Sequence, residues 1–146
     1  MRLLLAIPSG DFMPVQFVKS LTGLERKLDR DGVNYEECIV DGTLVYMARD
    51  KLASKAVNDG FSHVLWLDSD MVFQPDTLER MLNTLQKNNL DILTGLYFRR
   101  VPPYSPVLFD KLEINGVGCN FTEWKAIPDD LFEVGACGFG CVLMKT

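Results

Sequence analysis

The residues with the clearest chemical potential are two aspartates separated by one position, Asp68 and Asp70. They directly follow the apolar run 63–67, which has the character of a buried strand. On an extended chain the side chains of residues i and i+2 point the same way, so both carboxylates are expected to face one spot. Such a pair repels itself unless a shared proton, a basic side chain or a divalent cation compensates. It therefore predicts a metal or ligand site, with Mg²⁺ or Mn²⁺ as the cation that carboxylates and phosphate oxygens together hold.

The same spacing occurs a second time, at Asp29 and Asp31, and gives a comparison within the chain. With 13 aspartates among 146 residues, about one Asp-x-Asp pair is expected by chance, so the spacing alone decides nothing. Asp29 and Asp31 fall at the polar end of a helical pattern, just before Gly32, and are predicted to form a solvated turn. Only the pair after the apolar strand is therefore predicted to bind a ligand.

The elements that must position these carboxylates alternate between strand and helix. Apolar runs predict strands over 2–7, 33–40, 63–67 and 90–98, and apolar residues at helical spacing predict a helix between successive strands. The residues expected to face the core from the three helices are Phe17, Leu21, Leu24 and Leu28, then Val45, Ala48, Leu52 and Ala56, then Leu78, Met81, Leu82 and Leu85. This alternation predicts an α/β fold, a Rossmann-like three-layer α/β/α arrangement around a mostly parallel central sheet.

Ligands in such sheets bind beyond the carboxyl ends of the strands. Three polar turns fall at those ends, over 8–11, 41–43 and 68–70. After residue 98 the periodicity weakens, and short strands are predicted over 106–117 and 131–145. We therefore expect a single domain over 1–146, with ligand-binding βα repeats in 1–98 and a strand-rich part in 99–146.

Composition narrows the classes of function. The 146 residues are 47% hydrophobic and 24% charged, which is typical of a globular domain. A net charge of −5 and a pI near 4.8 argue against nucleic acid as a partner, since nucleic-acid-binding domains usually have a basic surface. No apolar stretch approaches the ~20 residues of a transmembrane segment, and the run from Leu3 to Ile7 is too short for a signal peptide. These features predict a cytoplasmic protein.

Residues 60–82 resemble the DxD region of GT-A nucleotide-sugar glycosyltransferases, in which an apolar strand enters the acidic motif and a proline soon opens the next helix. Four shorter segments resemble other motifs of that family, in the family's order. These motifs are the first strand with its nucleotide-contacting turn, the acidic turn after the second strand, an Ala-Arg-Asn segment ahead of the DxD strand, and a glycine-rich strand beside the donor sugar. Here they correspond to Ala6–Ser9, Val40–Thr43, Ala48–Asp50 and Gly135–Met144. Residues 94–104 are also similar to family-2-like transferases.

The resemblance implies a GT-A-type fold and a glycosyltransferase. Such an enzyme moves a sugar from a nucleotide-diphosphate sugar to an acceptor, which is a saccharide, a lipid or a protein. A divalent cation, Mn²⁺ or Mg²⁺, would stabilise the charge on the departing diphosphate. By the resemblance, the donor nucleotide would contact Pro8, Ser9, Asp41, Arg49 and Asp68. The metal would be held by Asp68 and Asp70, with Asp70 as the more direct ligand, and no catalytic residue is identified.

The family normally continues after its glycine-rich strand into an acceptor half that holds the catalytic base of inverting members. This sequence stops at Thr146, so the acceptor side in 99–146 is expected to be incomplete. Two other functions remain open. A haloacid-dehalogenase-like phosphatase would use Asp68 as nucleophile and Asp70 as acid/base, although that family's motif usually lies on the first strand and two βα units precede it here. A nucleotide-sugar-binding module without catalysis is the other.

Overall fold

The computed structural model describes residues 1–115, 118–124 and 126–146, and it divides into two compact units. The first unit comprises Met1–Gly95 and Phe139–Thr146, and the second comprises Leu96–Gly138. In chain order the elements are β1 (Leu3–Pro8), α1 (Val15–Arg30), β2 (Tyr35–Val40), α2 (Val45–Asn58), β3 (His63–Leu67), α3 (Thr77–Lys87), β4 (Ile92–Thr94), β5 (Leu108–Asn115), β6 (Gly118–Glu123), β7 (Ala136–Cys137) and β8 (Cys141–Lys145).

The first unit is built on a five-stranded sheet with the order β2-β1-β3-β8-β4. Pairing is parallel from β2 through β1 to β3, and antiparallel where β8 meets β3 and β4. Because β8 is antiparallel to both of its neighbours, β4 runs in the same direction as the first three strands. The prediction of an α/β fold with a mostly parallel central sheet is therefore confirmed.

The pleat of β1 divides its buried residues between the two faces of the sheet, because side chains alternate along a strand. Leu3, Leu5 and Ile7 belong to one core with the apolar residues of α1 and α3. The intervening Leu4 and Ala6 are equally buried, and they lie on the other face, where α2 contacts β1 and β2. The layers are thus α1 with α3, the sheet, and α2.

The helices bury the faces that the sequence predicts, with two exceptions. All four predicted residues of α1 are buried, as are three of the four on α2. Val45 is 53% exposed, so the prediction for it is wrong, because it is the first residue of α2 and lies at the end of the helix. On α3, Leu82 is half-buried and the other three residues are buried. None of these helices, in the part of the chain that the structure describes, has the length and apolar character needed to cross a membrane.

The second unit contains a three-stranded antiparallel sheet with the order β6-β5-β7. The strand predicted over 106–117 corresponds to β5, and its last two residues lie outside the described part of the chain. Strand β6 was not predicted, because its glycine and asparagine are depleted in strands and interrupt the pattern, and it forms where it pairs with β5. The stretch 131–145 is not one strand, since the chain passes from the second sheet to the first between β7 and β8.

Candidate functional site

The polar turns after β1, β2 and β3 lie at one edge of the first sheet. These strands are parallel neighbours with β1 in the middle, so their carboxyl ends point the same way. The edge therefore collects Ser9 after β1, Asp41 after β2 and Asp68 after β3. This is the arrangement expected from the sequence, and in sheets of this kind it is where ligands bind.

The turn after β1 is tightly held, whereas the turn after β2 is open. Pro8 is the last residue of β1, and the Ser9 N–H donates to the Val40 carbonyl at 2.9 Å. Ser9 is 9% exposed, and its hydroxyl donates to the Gly10 carbonyl at 2.9 Å. Asp41 is exposed and precedes Gly42, whose φ of 62° is a conformation that glycine adopts without strain. At this edge Asp41 thus presents a carboxylate to solvent.

Asp68 is fixed at both its main chain and its side chain. Its N–H donates to the carbonyl of Gly140, which immediately precedes β8, at 2.9 Å. Its Oδ1 accepts a hydrogen bond from Arg49 Nη2 at 2.8 Å, and the two side chains are each 32% exposed. The alternation of β3 explains the partner, because Asp68 continues the row of Val64 and Trp66 on the face that α2 covers. A basic side chain therefore compensates the charge of Asp68, one member of the acidic pair.

The backbone after Asp68 turns instead of continuing as a strand. The Met71 N–H donates to the Asp68 carbonyl at 3.0 Å, and residues 69 and 70 form the turn between them. The chain is therefore not extended from Asp68 to Asp70, contrary to the expectation from the sequence. The chain must reverse here because β3 ends at Leu67 and α3 begins at Thr77. Asp70 lies exposed on this turn.

Arg49 is supported by an aromatic pair that the sequence did not single out. Its Cζ lies 5.3 Å from the centroid of the Phe139 ring. That ring meets Trp66 edge to face, with centroids 5.4 Å apart and an interplanar angle of 65°. Arg49 Nε is buried and finds no hydrogen-bond acceptor within the described residues. Phe139 lies in the glycine-rich segment 135–144, which the sequence alone singles out by its resemblance to a family motif, and this is the signal that points to it.

The second Asp-x-Asp pair lies at the opposite edge of the sheet, where α1 ends and β2 begins. Asp31 accepts from Lys27 Nζ at 2.7 Å, and Asp29 accepts from the Tyr35 hydroxyl at 3.1 Å. Both aspartates are exposed, so the prediction that the pair is solvated is confirmed, but Asp29 lies in the last turn of α1 and only Asp31 is in the turn that follows. The pair is therefore a control of equal spacing outside the candidate site.

The carboxylates fit a cation that is held only partly by protein. Within the described residues, no group of three or more His, Cys, Asp or Glu side chains is arranged to bind a metal ion. Mg²⁺, however, commonly takes one or two carboxylates and completes its shell with water and substrate phosphates. Asp68 and Asp70, which follow β3 within one turn, supply two carboxylates and so match that number and kind of donor.

Comparison with known proteins defines the class. The sequence profile of glycosyl transferase family 2 matches residues 45–133, which is more than half of the chain and includes α2, β3 and the Asp68-Ser69-Asp70 motif. The chain belongs to glycosyl transferase family 2. Its fold is accordingly the GT-A type of Rossmann-like α/β fold.

Among solved structures, the chain is similar to A197 from STIV, with 20% sequence identity and a TM-score of 0.58. The alignment covers 99% of this chain and 65% of A197, so this chain spans about two thirds of the length of A197. At this identity the similarity concerns the fold alone. No curated protein sequence matches the chain significantly.

Proposed function

We propose that this chain binds a nucleotide-diphosphate sugar at the carboxyl edge of its parallel strands and transfers the sugar to an acceptor with the help of a divalent cation. The observation that supports this most strongly is that Ser9, Asp41 and Asp68 follow three neighbouring parallel strands at one edge of the sheet, in a chain of glycosyl transferase family 2. The acceptor class, whether a saccharide, a lipid or a protein, stays open in this proposal.

The proposed roles follow the exposure of each group. Asp41 presents an exposed carboxylate that can accept hydrogen bonds from the base or ribose. Pro8 and Ser9 form a rigid, mostly buried turn, so they are suited to shape the nucleotide site through their backbone. Arg49 is already bonded to Asp68, and its charge also favours the nearby diphosphate.

We place the proposed cation at Asp70, with Asp68 as the second acidic group of the site. When bound, Mn²⁺ or Mg²⁺ acts as a Lewis acid that stabilises the charge on the departing diphosphate. Asp70 is the exposed carboxylate and is the direct ligand in this proposal. Asp68, bonded to Arg49, orients the turn and reaches the ribose or the metal from its partly exposed side.

The transferase, the phosphatase and the binding module differ in the reaction that each would catalyse, if any. Family membership favours the transferase over the haloacid-dehalogenase-like phosphatase. A module that binds without catalysis would bind the donor but release no nucleoside diphosphate from it. Release of nucleoside diphosphate from a nucleotide sugar, slowly with water as acceptor or faster with a panel of acceptors, therefore distinguishes the transferase from the module.

The first experiment is thermal melting with UDP, GDP or CDP, each with and without Mn²⁺. A ligand at ~100 times its Kd stabilises the folded state by about 2.7 kcal/mol. For a chain of this size we expect that to raise Tm by roughly 5–10 °C. We expect a shift for at least one nucleotide, and only in the presence of Mn²⁺.

The matched variants are Asp70→Asn and Asp31→Asn, since both remove one carboxylate from an Asp-x-Asp pair. Each ligand-induced shift is measured against the same variant without ligand, which separates binding from basal stability. We expect Asp70→Asn to lose the Mn²⁺-dependent shift and Asp31→Asn to keep it. An unchanged shift in Asp70→Asn would show that the metal site is assigned to the wrong residue.

A further inference from the structure

Two separate contacts that hold Asp68 come from one dipeptide, Phe139-Gly140. The carbonyl of Gly140 accepts the Asp68 N–H at 2.9 Å. The ring of the preceding residue, Phe139, lies against the guanidinium of Arg49, whose Nη2 holds the Asp68 carboxylate at 2.8 Å. The dipeptide therefore fixes the main chain of Asp68 directly and its side chain through Arg49.

The ring matters because few other groups orient the guanidinium. Arg49 Nε is buried without an acceptor among the described residues, so no hydrogen bond fixes that side of the group. A guanidinium over an aromatic face is attracted by the negative face of the ring. The contact of 5.3 Å between Arg49 Cζ and the centroid of Phe139 is within range of that attraction.

The ring is itself held in place by β3. Trp66 packs edge to face on Phe139, with centroids 5.4 Å apart, and is only 4% exposed. Trp66 lies two residues before Asp68 on the same face of the strand. The contacts therefore run in sequence: Trp66 of β3 packs on Phe139, Phe139 packs on Arg49 of α2, and Arg49 bonds to Asp68 just after β3. A change at the ring should reach the Asp68 carboxylate through Arg49.

We propose that Phe139 is a positioning residue for donor binding, which acts through Arg49 to fix the Asp68 carboxylate. This inference rests on the proposed function, because it assumes that Asp68 contributes to the donor site. The ring does not contact the donor in this proposal. It limits the rotation of the guanidinium, so Asp68 presents the same oxygen to the ligand before binding and loses less freedom when the ligand arrives.

The test compares Phe139→Leu, which keeps an apolar side chain but removes the ring, with Phe139→Tyr, which keeps the ring. Affinity is measured by calorimetry in Mn²⁺ with whichever of UDP, GDP and CDP binds the wild-type chain most tightly. We expect Phe139→Leu to weaken binding about two- to fivefold and Phe139→Tyr to stay within about twofold of wild type. Equal losses in both variants would overturn the proposal, since a ring would then give no advantage.

A double-mutant cycle with Arg49→Met tests the route of the effect. If Phe139 acts through Arg49, the loss caused by Phe139→Leu disappears in the Arg49→Met background. If the loss is the same in both backgrounds, the ring acts independently of Arg49 and the proposal is wrong.

The same cycle measured by urea unfolding without ligand separates this proposal from the proposed function. Should the wild-type chain bind none of the three diphosphates, the proposed function fails while the ligand-free cycle still tests the contact. Non-additive losses of stability would support the link between Phe139 and Arg49, and additive losses would overturn it.

Discussion

The free energy of unfolding should fall as the pH rises from 4.5 to about 7, because of the carboxyl group of Glu25 on α1. Its carboxyl group is half-buried and shares a hydrogen bond with Glu37 of β2. Burial, that hydrogen bond and the negative charges of Glu37 and Asp29 together raise the pKa of Glu25 from 4.5 to about 7. Asp29 in turn accepts a hydrogen bond from Tyr35, so this end of α1 meets β2 through acidic and phenolic groups. Two carboxyl groups in such contact share one proton.

The sign of the effect follows from which state holds the proton more tightly. In the unfolded chain Glu25 has its ordinary pKa of 4.5, and in the folded chain its pKa is about 7. Below pH 4.5 both states are protonated, and the stabilising contribution is fully present. As the pH rises to about 7, the unfolded state ionises first and stability falls. Above that pH both states are ionised and the contribution has been lost.

Screening by water limits how much Glu25 changes the free energy of unfolding between these pH values. The full interval between the two pKa values corresponds to about 3 kcal/mol. Because Glu25 is only half-buried, screening by water reduces the expected effect to on the order of 1 kcal/mol. The variant Glu25→Gln keeps the size and the hydrogen-bonding capacity of the side chain but does not titrate. Urea unfolding at pH 5 and pH 8 should therefore show wild type losing about 1 kcal/mol relative to Glu25→Gln.

The control is Asp50→Asn, which removes an exposed carboxylate from α2. Its difference from wild type should be the same at both pH values. If wild type and Glu25→Gln lose stability in parallel between pH 5 and pH 8, the Glu25 carboxyl is not the titrating group and the reasoning fails.

Three further predictions concern packing and the metal. Gly135→Ala should destabilise the second unit by about 1–3 kcal/mol, measured by urea unfolding, because its new Cβ would collide with the Asp110 carbonyl. Gly10→Ala, which meets nothing within 4 Å, is its neutral control. Phe17→Ala should cost about 3–5 kcal/mol, since Phe17 is fully buried in the core between α1 and the sheet; a loss below 1 kcal/mol would contradict that packing. EDTA should abolish the rise in Tm that nucleotide and Mn²⁺ produce together, and an undiminished rise would show that the nucleotide binds without the cation.

The parts of the fold that the sequence predicts well are those with strong local patterns. The apolar residues of α1 recur at steps of four, three and four, and every one of them is buried. The strand over 63–67 is apolar on both faces, and β3 occupies these residues. In both cases the pattern within one element is enough to predict it. Burial of one helix face leaves a helical period, and burial of both strand faces leaves a continuous apolar run.

The parts that the sequence predicts poorly depend on partners distant along the chain. The strand predicted over 90–98 is reduced to β4, Ile92–Thr94, because β8 pairs with only these three residues. The turn at residues 69 and 70 is likewise set by the need to leave β3 and enter α3, and the spacing of two aspartates does not reveal it. Of the candidate site, the residues after the parallel strands were found from the sequence, and Phe139 was not.

The direction of β8 explains why Phe139 and Gly140 reach the site at all. A parallel strand in this position would bring its first residues to the amino edge of the sheet, far from Asp68. Because β8 is antiparallel to β3, with Cys141 opposite Leu67, its entry lies at the carboxyl edge. The chain therefore arrives beside Asp68 just before the strand begins, and Phe139 and Gly140 are placed there by topology. The carboxyl edge of the sheet thus has a fourth segment beside the three turns after β1, β2 and β3. That segment, Phe139-Gly140, holds Asp68 directly and through Arg49.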